Sequence, residues 1–194
     1  MRTLKATVLI ASLAAAFASP YARAATRPEI VAEVGGTAVV EGDPGQGGAS
    51  LAAAVLWPLE KHFRLGLMGS VDDLGTREAR LRGPSGVDLG PIGAGHRAAQ
   101  ALGWRAEAHF LGSHGWRAFA ASTWGLYRVV DDLNGDVQRR VVTGGGGLGF
   151  GVLRRLSGPH AAGIVARYQW LSRGAASRYL SAAAEWRWGS EAPE

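Results

Sequence analysis

The amino-acid sequence predicts an all-β protein, an eight-stranded antiparallel up-and-down transmembrane β-barrel. Apolar and polar residues alternate with period two, between clusters of Gly, Pro, Asn and Asp, which is the pattern of strands and hairpins. After residue 25, no run approaches the ~20 consecutive apolar residues of a membrane helix. The tryptophans gather toward the two ends of the predicted strands, as expected for a protein anchored at two membrane interfaces.

The lengths of the connections between the predicted strands fit a barrel that has short turns at one end. Short turns follow the second, fourth and sixth strands, and most of the other connections are longer, as in bacterial outer-membrane barrels. Residues 72–98 are read as a long loop rich in glycine, proline and charge. The predicted strands are 29–40, 49–57, 62–71, 99–111, 116–130, 137–156, 161–171 and 178–188.

The first 24 residues predict a cleaved signal peptide and therefore export. Arg2 and Lys5 precede a short apolar run, and Ala22-Arg23-Ala24 is a small-x-small cleavage site. Residues 25–194 are then the barrel domain, with 189–194 as a short periplasmic tail. The expected location is the outer membrane of a diderm bacterium.

Charge and cysteine content exclude several other classes of protein. The 21 basic residues include three in the signal peptide, which leaves 18 against 16 acidic residues, so no basic face for nucleic acid is expected. The chain has no cysteine, and therefore no disulfide or thiolate metal site. The five histidines have no metal-ligand spacing, and the sequence predicts neither a metal nor a cofactor.

The polar face of the predicted strands carries charges of both signs at similar depth. An eight-stranded barrel is only wide enough for side chains to fill, and buried charges persist only when they are paired. The polar face is therefore predicted to point inward and to form a closed lumen with no open pore. The predicted lumen charge network is Glu33, Arg64, Arg105, Glu107, Arg167, Glu185 and Arg187.

Aromatic residues on the apolar face predict two interfacial belts around an aliphatic band. Trp57, Trp116, Trp186 and Trp188 lie near the short-turn end. Trp104, Trp124, Tyr168 and Trp170 lie toward the other end. A soluble barrel of the lipocalin type alternates as well, with its apolar face inward, but its core gives no reason to sort tryptophans to the two rims.

A glycine-rich segment, TGGGGLGFG at 143–151, contains a formal G-x-G-x-x-G. A dinucleotide site would require a following helix and a later acidic residue, and neither is present. The segment is instead interpreted as a smooth inward face formed by Gly145, Gly147, Gly149 and Gly151. Such a face leaves room for bulky lumen residues, with Arg105, Arg167 and Arg187 as the expected occupants.

The predicted long loop suggests a contact with lipopolysaccharide, through Arg77, Arg80, Arg82 and Arg97. Guanidinium groups suit phosphate, and the outer-leaflet lipid is phosphorylated. A solvated loop of mixed charge is the competing interpretation, because Asp72, Asp73, Glu78 and Asp88 lie among these arginines.

Taken together, these features resemble the small eight-stranded outer-membrane barrels of the OmpX and OmpA transmembrane-domain type. The resemblance covers the whole mature chain and implies a monomer whose partners are outer-membrane lipid, lipopolysaccharide and, during biogenesis, the barrel-assembly machinery. That machinery reads the terminal aromatic residue in this class, and Trp188 is the matching position. Many relatives stop at the aromatic, whereas six residues, GSEAPE, follow Trp188 here.

Three functions are compatible with the sequence. The favoured one is a structural or surface-interaction role without catalysis. The second is a small barrel that binds or transports a hydrophobic or anionic solute, which the glycine face and the arginine excess favour. The third is a lipid A-modifying enzyme, for which His96 with Ser85 and Asp88 is the candidate set on the outer side.

Overall fold

The computed structural model is a closed barrel of eight antiparallel strands in chain order, which confirms the predicted fold. It describes residues 27–41, 46–82, 84–110, 112, 114–133, 136–172 and 178–189. The predicted signal peptide and the tail after residue 189 lie outside the described residues. The strands are β1 (Glu29–Glu41), β2 (Ala49–Glu60), β3 (Phe63–Arg82), β4 (Asp88–Phe110), β5 (Trp116–Leu133), β6 (Asp136–Arg155), β7 (His160–Leu171) and β8 (Arg178–Trp188).

The described part of the chain contains no helix that is long and apolar enough to cross a membrane.

The hydrogen-bond register shows that the strands are tilted against the barrel axis. Pairing followed from Ile30 through all eight strands returns to β1 at Glu41, near the opposite end of that strand. A sheet that closes with such a stagger must tilt its strands, typically by about 35–45°. Residues at one height on neighbouring strands are therefore offset along the chain.

The two ends of the barrel differ in shape. The turn end carries the start of β1, the end of β8 and the connections after β2, β4 and β6. At the opposite hairpin end, β3 pairs with β2 only as far as Asp72, and β6 pairs with β7 only as far as Gly145. Strands β3 to β6 continue beyond these points. Their described residues within 74–98 and 128–141 form an extension of one side of the barrel, here called the hairpin wall.

This extension corrects the prediction of a long loop at 72–98. β3 and β4 are 20 and 23 residues long, and they pair with each other as far as Arg82 and Asp88. Register shifts near Asp73 and near Ala79 interrupt the alternation. The segment is rich in glycine, proline and charged residues, and its alternation is irregular. Its sequence therefore has the pattern of a loop, although its backbone is paired.

Side chains alternate between the lumen and the outer surface as the sequence predicts. In β8 each buried residue is followed by an exposed one over the whole strand. Glu185 and Arg187 point inward, and Trp186 and Trp188 point outward. The inward positions hold the charged groups of the barrel together with hydroxyl and apolar groups, whereas the outward positions hold most of the large aliphatic and aromatic side chains. Charge inside and large apolar groups outside is the reverse of a soluble protein.

Candidate functional site

The centre of the lumen near the turn end is a cluster of arginines and glutamates. Arg105 on β4 is fully buried and contacts three carboxylates contributed by three strands. Its Nη2 lies 2.6 Å from Glu107 Oε1 and 2.7 Å from Glu185 Oε2, and its Nη1 donates to Glu33. Because these acceptors come from β1, β4 and β8, the guanidinium joins strands that are far apart in the sequence.

Arg187 on β8 extends the cluster toward the turn end. Its two terminal nitrogens donate to the two carboxylate oxygens of Glu107, at 2.8 and 3.0 Å. It also donates to Glu185 and, at 3.2 Å, to Glu29. Arg64 Nε donates to the other oxygen of Glu29 at 2.8 Å. A planar fork matched to a carboxylate is the arrangement in which an arginine is best stabilised when buried.

All seven residues of the predicted lumen network point inward and are no more than 5% exposed. The structure brings them into one continuous set of contacts, because Arg167 donates to the same Glu33 that Arg105 contacts. Glu29 and His109 also belong to this set, and the predicted network omitted both. His109 Nε2 lies 2.7 Å from Glu107 Oε2. Both residues occupy inward positions of alternating strands, and this pattern in the sequence could have identified them as members of the network.

Phe119 on β5 is the aromatic residue in this cluster. The Arg187 guanidinium lies 4.8 Å from the centre of its ring, and His109 stacks on the ring at 5.4 Å between centroids. A Cβ atom at Gly151 would lie 2.3 Å from the tip of the ring. Gly151 therefore makes room for Phe119, which is fully buried.

The glycine face of β6 thus admits large side chains, although not all of the expected ones. A Cβ atom at Gly149 would lie 2.7 Å from Arg167 Cγ, which agrees with the expectation for Arg167. A Cβ atom at Gly145 would lie 2.8 Å from the Tyr127 ring. The rings of Phe119 and Tyr127, on the neighbouring strand β5, occupy the space that was assigned to Arg105 and Arg187.

Hydroxyl groups surround a buried carboxylate above the charge cluster. Asp72 accepts hydrogen bonds from Ser50 at 2.6 Å, from Ser70 at 3.1 Å and from Tyr179 at 3.0 Å. Gln169 Oε1 accepts from Tyr127 and from Tyr179, both at 3.2 Å. This layer was missed because Asp72 was assigned to a loop.

An apolar cluster fills the lumen nearest the hairpin end. Val39, Leu74, Ala99, Val129 and Leu171 pack there with the rings of Tyr127 and Tyr179. Arg97 on β4 and Asp131 on β5 form a buried ion pair beside it, with a second contact at 3.2 Å. The described side chains therefore fill the lumen with an ionic cluster, a hydroxyl cluster and apolar clusters.

Solved structures of outer-membrane proteins have the same architecture. Neisserial surface protein A (NspA) aligns with a TM-score of 0.66 at 14% identity, over 84% of this chain and 96% of NspA. The N-terminal β-barrel domain of Pseudomonas aeruginosa OprF aligns with a TM-score of 0.50 at 12% identity, over 84% of this chain and all of that domain. By sequence, no family model and no curated protein matches the chain.

The chain has the fold of a small outer-membrane barrel. The predicted resemblance is confirmed at this level, and identities of 14% and 12% extend it no further than the fold.

The outward aromatic residues form two groups on the barrel surface. Trp57, Trp116, Trp186 and Trp188 lie at the turn end. Trp104, Trp124 and Trp170 follow one line across the strands, because Trp104 pairs with Trp124, and Gly146 pairs with both Trp124 and Trp170. Tyr168 packs beside Trp170, with 6.3 Å between ring centroids.

The sequence had suggested that the second group marks the ends of the strands, but it does not. Trp104 and Trp124 lie within the long strands β4 and β5, which continue into the hairpin wall. Trp104 is also half-buried, whereas Trp124 is exposed.

The four arginines proposed to contact lipopolysaccharide do not form a loop cluster. Arg77, Arg80 and Arg82 lie in β3, and their side chains are outside the described part of the molecule. The prediction for Arg97 is wrong, because this residue is 4% exposed and its guanidinium is paired with Asp131 on the inward face of the hairpin wall. Arg97 lies in a strand, at an inward position, and not in a loop.

His96 has partners other than those considered for an enzyme. Its Nε2 lies 3.0 Å from Asp73 Oδ1, and its Nδ1 lies 3.6 Å from Asp132 Oδ2. Ser85 and Asp88 lie at the far end of the β3–β4 hairpin. Among the described residues, no group of three or more histidine or acidic side chains could hold a metal ion.

Proposed function

We propose that this protein is an integral outer-membrane barrel with a closed lumen, whose role is structural or is exerted at the cell surface through the hairpin wall. The observation that carries the proposal is the reversed distribution of polarity, with ion pairs inside and large apolar side chains outside. Water would not stabilise such a surface, whereas a lipid bilayer would. The exposed aliphatic and aromatic residues include Ile30, Val34, Leu51, Leu67, Val71, Leu102, Leu126, Leu148, Phe150, Ile164 and Leu180.

The height of the apolar surface supports a membrane position. On β5, the outward residues from Trp116 to Leu126 are apolar apart from Ser122, and the next outward residue is the exposed Arg128. Ten residues at ~3.3 Å each, with a tilt of about 40°, cover roughly 25 Å along the axis, which is the height of the apolar band in outer-membrane barrels. The hairpin wall then projects beyond the outer leaflet, and the turn end faces the periplasm.

The filled lumen supports a role that does not involve passage of a solute. Arg105 and Arg187 lie on the barrel axis side of their strands and are held by carboxylates from several strands. A solute would have to break these contacts to pass. The hairpin wall is the part that reaches outside the membrane, and the structural neighbour NspA is itself named a surface protein. Recognition of Trp188 by the barrel-assembly machinery stays a prediction.

Electrophoresis without boiling tests the membrane proposal. We expect the protein, folded in detergent, to migrate differently before and after heating, because the closed sheet of a membrane barrel persists in detergent. We also expect it to fractionate with the outer membrane of cells that express it. Recovery in the soluble periplasmic fraction, together with a single mobility, would contradict the proposal.

Planar bilayer recordings test the closed lumen. After insertion of the folded protein, we expect no step conductance approaching that of an open porin, because the charge cluster and the apolar cluster block the lumen at two levels. An open porin reconstituted in the same membrane serves as the control. Stable porin-sized steps from this protein would overturn the closed lumen and would favour the solute-transport alternative.

A further inference from the structure

Two arginines on the outward surface of the hairpin wall have no partner among the described residues. Arg128 on β5 pairs with Val142, and Arg140 on β6 pairs with Val130, so the two arginines are diagonal neighbours on one face of the sheet. Both are exposed. Side chains in diagonal positions on paired strands lie within about 7–8 Å of each other, which is within reach of two long arginines.

The other outward charges at this level already have partners. Arg178 pairs with Glu41 at 2.8 Å, and Asp73 and Asp132 both face His96. Neighbouring guanidinium groups repel each other unless an anion lies between them. Arg128 and Arg140 therefore form a pair of outward cations at this level for which the described residues provide no carboxylate partner.

These arginines border the apolar band. Arg128 follows Leu126 on the outer face of β5 by two positions, which is about 5 Å along the barrel axis. Leu126 itself is 65% exposed. The guanidinium groups thus lie at the height where lipid head groups meet the acyl chains.

A short, shallow groove lies below these arginines on the apolar surface, at Gly144. Gly144 pairs with Leu126, and Gly146 pairs with Trp124 on one side and Trp170 on the other. A Cβ atom at Gly144 would meet only Ser172 Oγ, at 3.8 Å, so the surface above this residue is open. The Trp170 ring packs over Gly146, where a Cβ atom would lie 3.1 Å from it. The Trp170 ring therefore closes the groove at Gly146, and Leu126 on β5 lies beside its open part at Gly144.

We propose that Arg128, Arg140 and the groove at Gly144 bind a phosphorylated glycolipid of the outer leaflet, of the lipid A class. The two guanidinium groups receive a phosphate, for which their planar forks are suited, and an acyl chain lies along Gly144 below them. This proposal rests on the proposed membrane position. It replaces the loop arginines of the sequence prediction with residues on the barrel wall.

Lipid retention by purified barrels tests the site. The folded wild type, the double variant Arg128→Gln/Arg140→Gln and the variant Gly144→Leu are incubated with diphosphorylated lipid A in detergent, and bound lipid is counted by native mass spectrometry. We expect about a tenfold or larger loss of binding in the double variant, because two charge-assisted contacts are removed. We expect a smaller loss in Gly144→Leu, which keeps both charges and obstructs the groove. Arg178→Gln is the matched control, since it removes an outward cation at the same level that is already paired, and it is expected to bind as the wild type does.

The outcomes separate this proposal from the membrane proposal. All variants are first checked for the heat-dependent shift in mobility, so that only folded barrels are compared. Wild-type binding by the double variant would overturn the site while leaving the membrane barrel intact. Equal retention of phosphatidylglycerol would overturn the assignment to lipid A. Loss of the mobility shift in the wild type itself would contradict the membrane barrel.

Discussion

Replacing Arg105 with methionine is expected to lower the free energy of unfolding by about 3–5 kcal/mol. Arg105 contacts Glu33, Glu107 and Glu185, and all four side chains are buried. Methionine fills a similar volume but leaves an excess of negative charge inside the barrel. Removal of one partner from a buried ionic network is costly because the remaining charges cannot regain the solvation that they had in water. Urea unfolding of the folded barrel, followed by tryptophan fluorescence, measures the loss.

The matched control for Arg105 is Arg178→Met on the outer surface. Arg178 also forms an ion pair, with Glu41, but both side chains are about half exposed. Solvent-exposed pairs contribute about 0–1 kcal/mol, so this variant is expected to unfold close to the wild type. If the two variants lost equal stability, the buried network would not be the structural centre of the lumen.

Phe119→Ala is expected to destabilise the barrel by a similar amount, about 3–5 kcal/mol. The ring is fully buried, stacks on His109 and lies under the Arg187 guanidinium. Its removal creates a cavity beside Gly151, which has no side chain to fill it. Phe150→Ala, one residue before Gly151 but on the exposed outer face, is the control and is expected to cost less.

The same site offers a double-mutant cycle. Gly151→Ala alone is expected to cost about 1–3 kcal/mol, because the new methyl group would lie 2.3 Å from the Phe119 ring. In the Phe119→Ala background the contact with the ring is removed and only the Ile164 carbonyl oxygen, at 2.9 Å, remains close to the methyl group, so the cost is expected to fall. Additive losses in the double variant would show that Gly151 and Phe119 do not share this space.

Strand periodicity made the two faces of the barrel predictable before any contact was known. The eleven residues of β8 alternate without interruption, so Glu185 and Arg187 could be assigned inward and Trp186 and Trp188 outward from the sequence. The same periodicity identified all seven members of the predicted lumen network as inward residues. Alternation is a local property, because successive side chains of a strand point to opposite faces whatever the strand pairs with.

Local pattern was a poor guide in the hairpin wall. Glycine, proline and charge in residues 72–98 indicated a loop, yet β3 and β4 pair across most of this segment. Pairing with a long neighbouring strand stabilises an extended backbone that has little strand propensity of its own. Arg97 was misplaced for this reason, since its inward position depends on a strand that the pattern did not reveal.

The sequence by itself determined the number of strands, their order and the reversal of polarity between the two faces, because each depends on neighbours along the chain. Only the tertiary structure decided which charges meet. Arg105 joins carboxylates from β1, β4 and β8, and Phe119 rather than an arginine occupies the space beside Gly151. Those partners follow from the stagger with which the sheet closes, since the stagger sets which residues of distant strands share a height. That stagger is a property of the closed barrel and cannot be predicted from the sequence of any single strand.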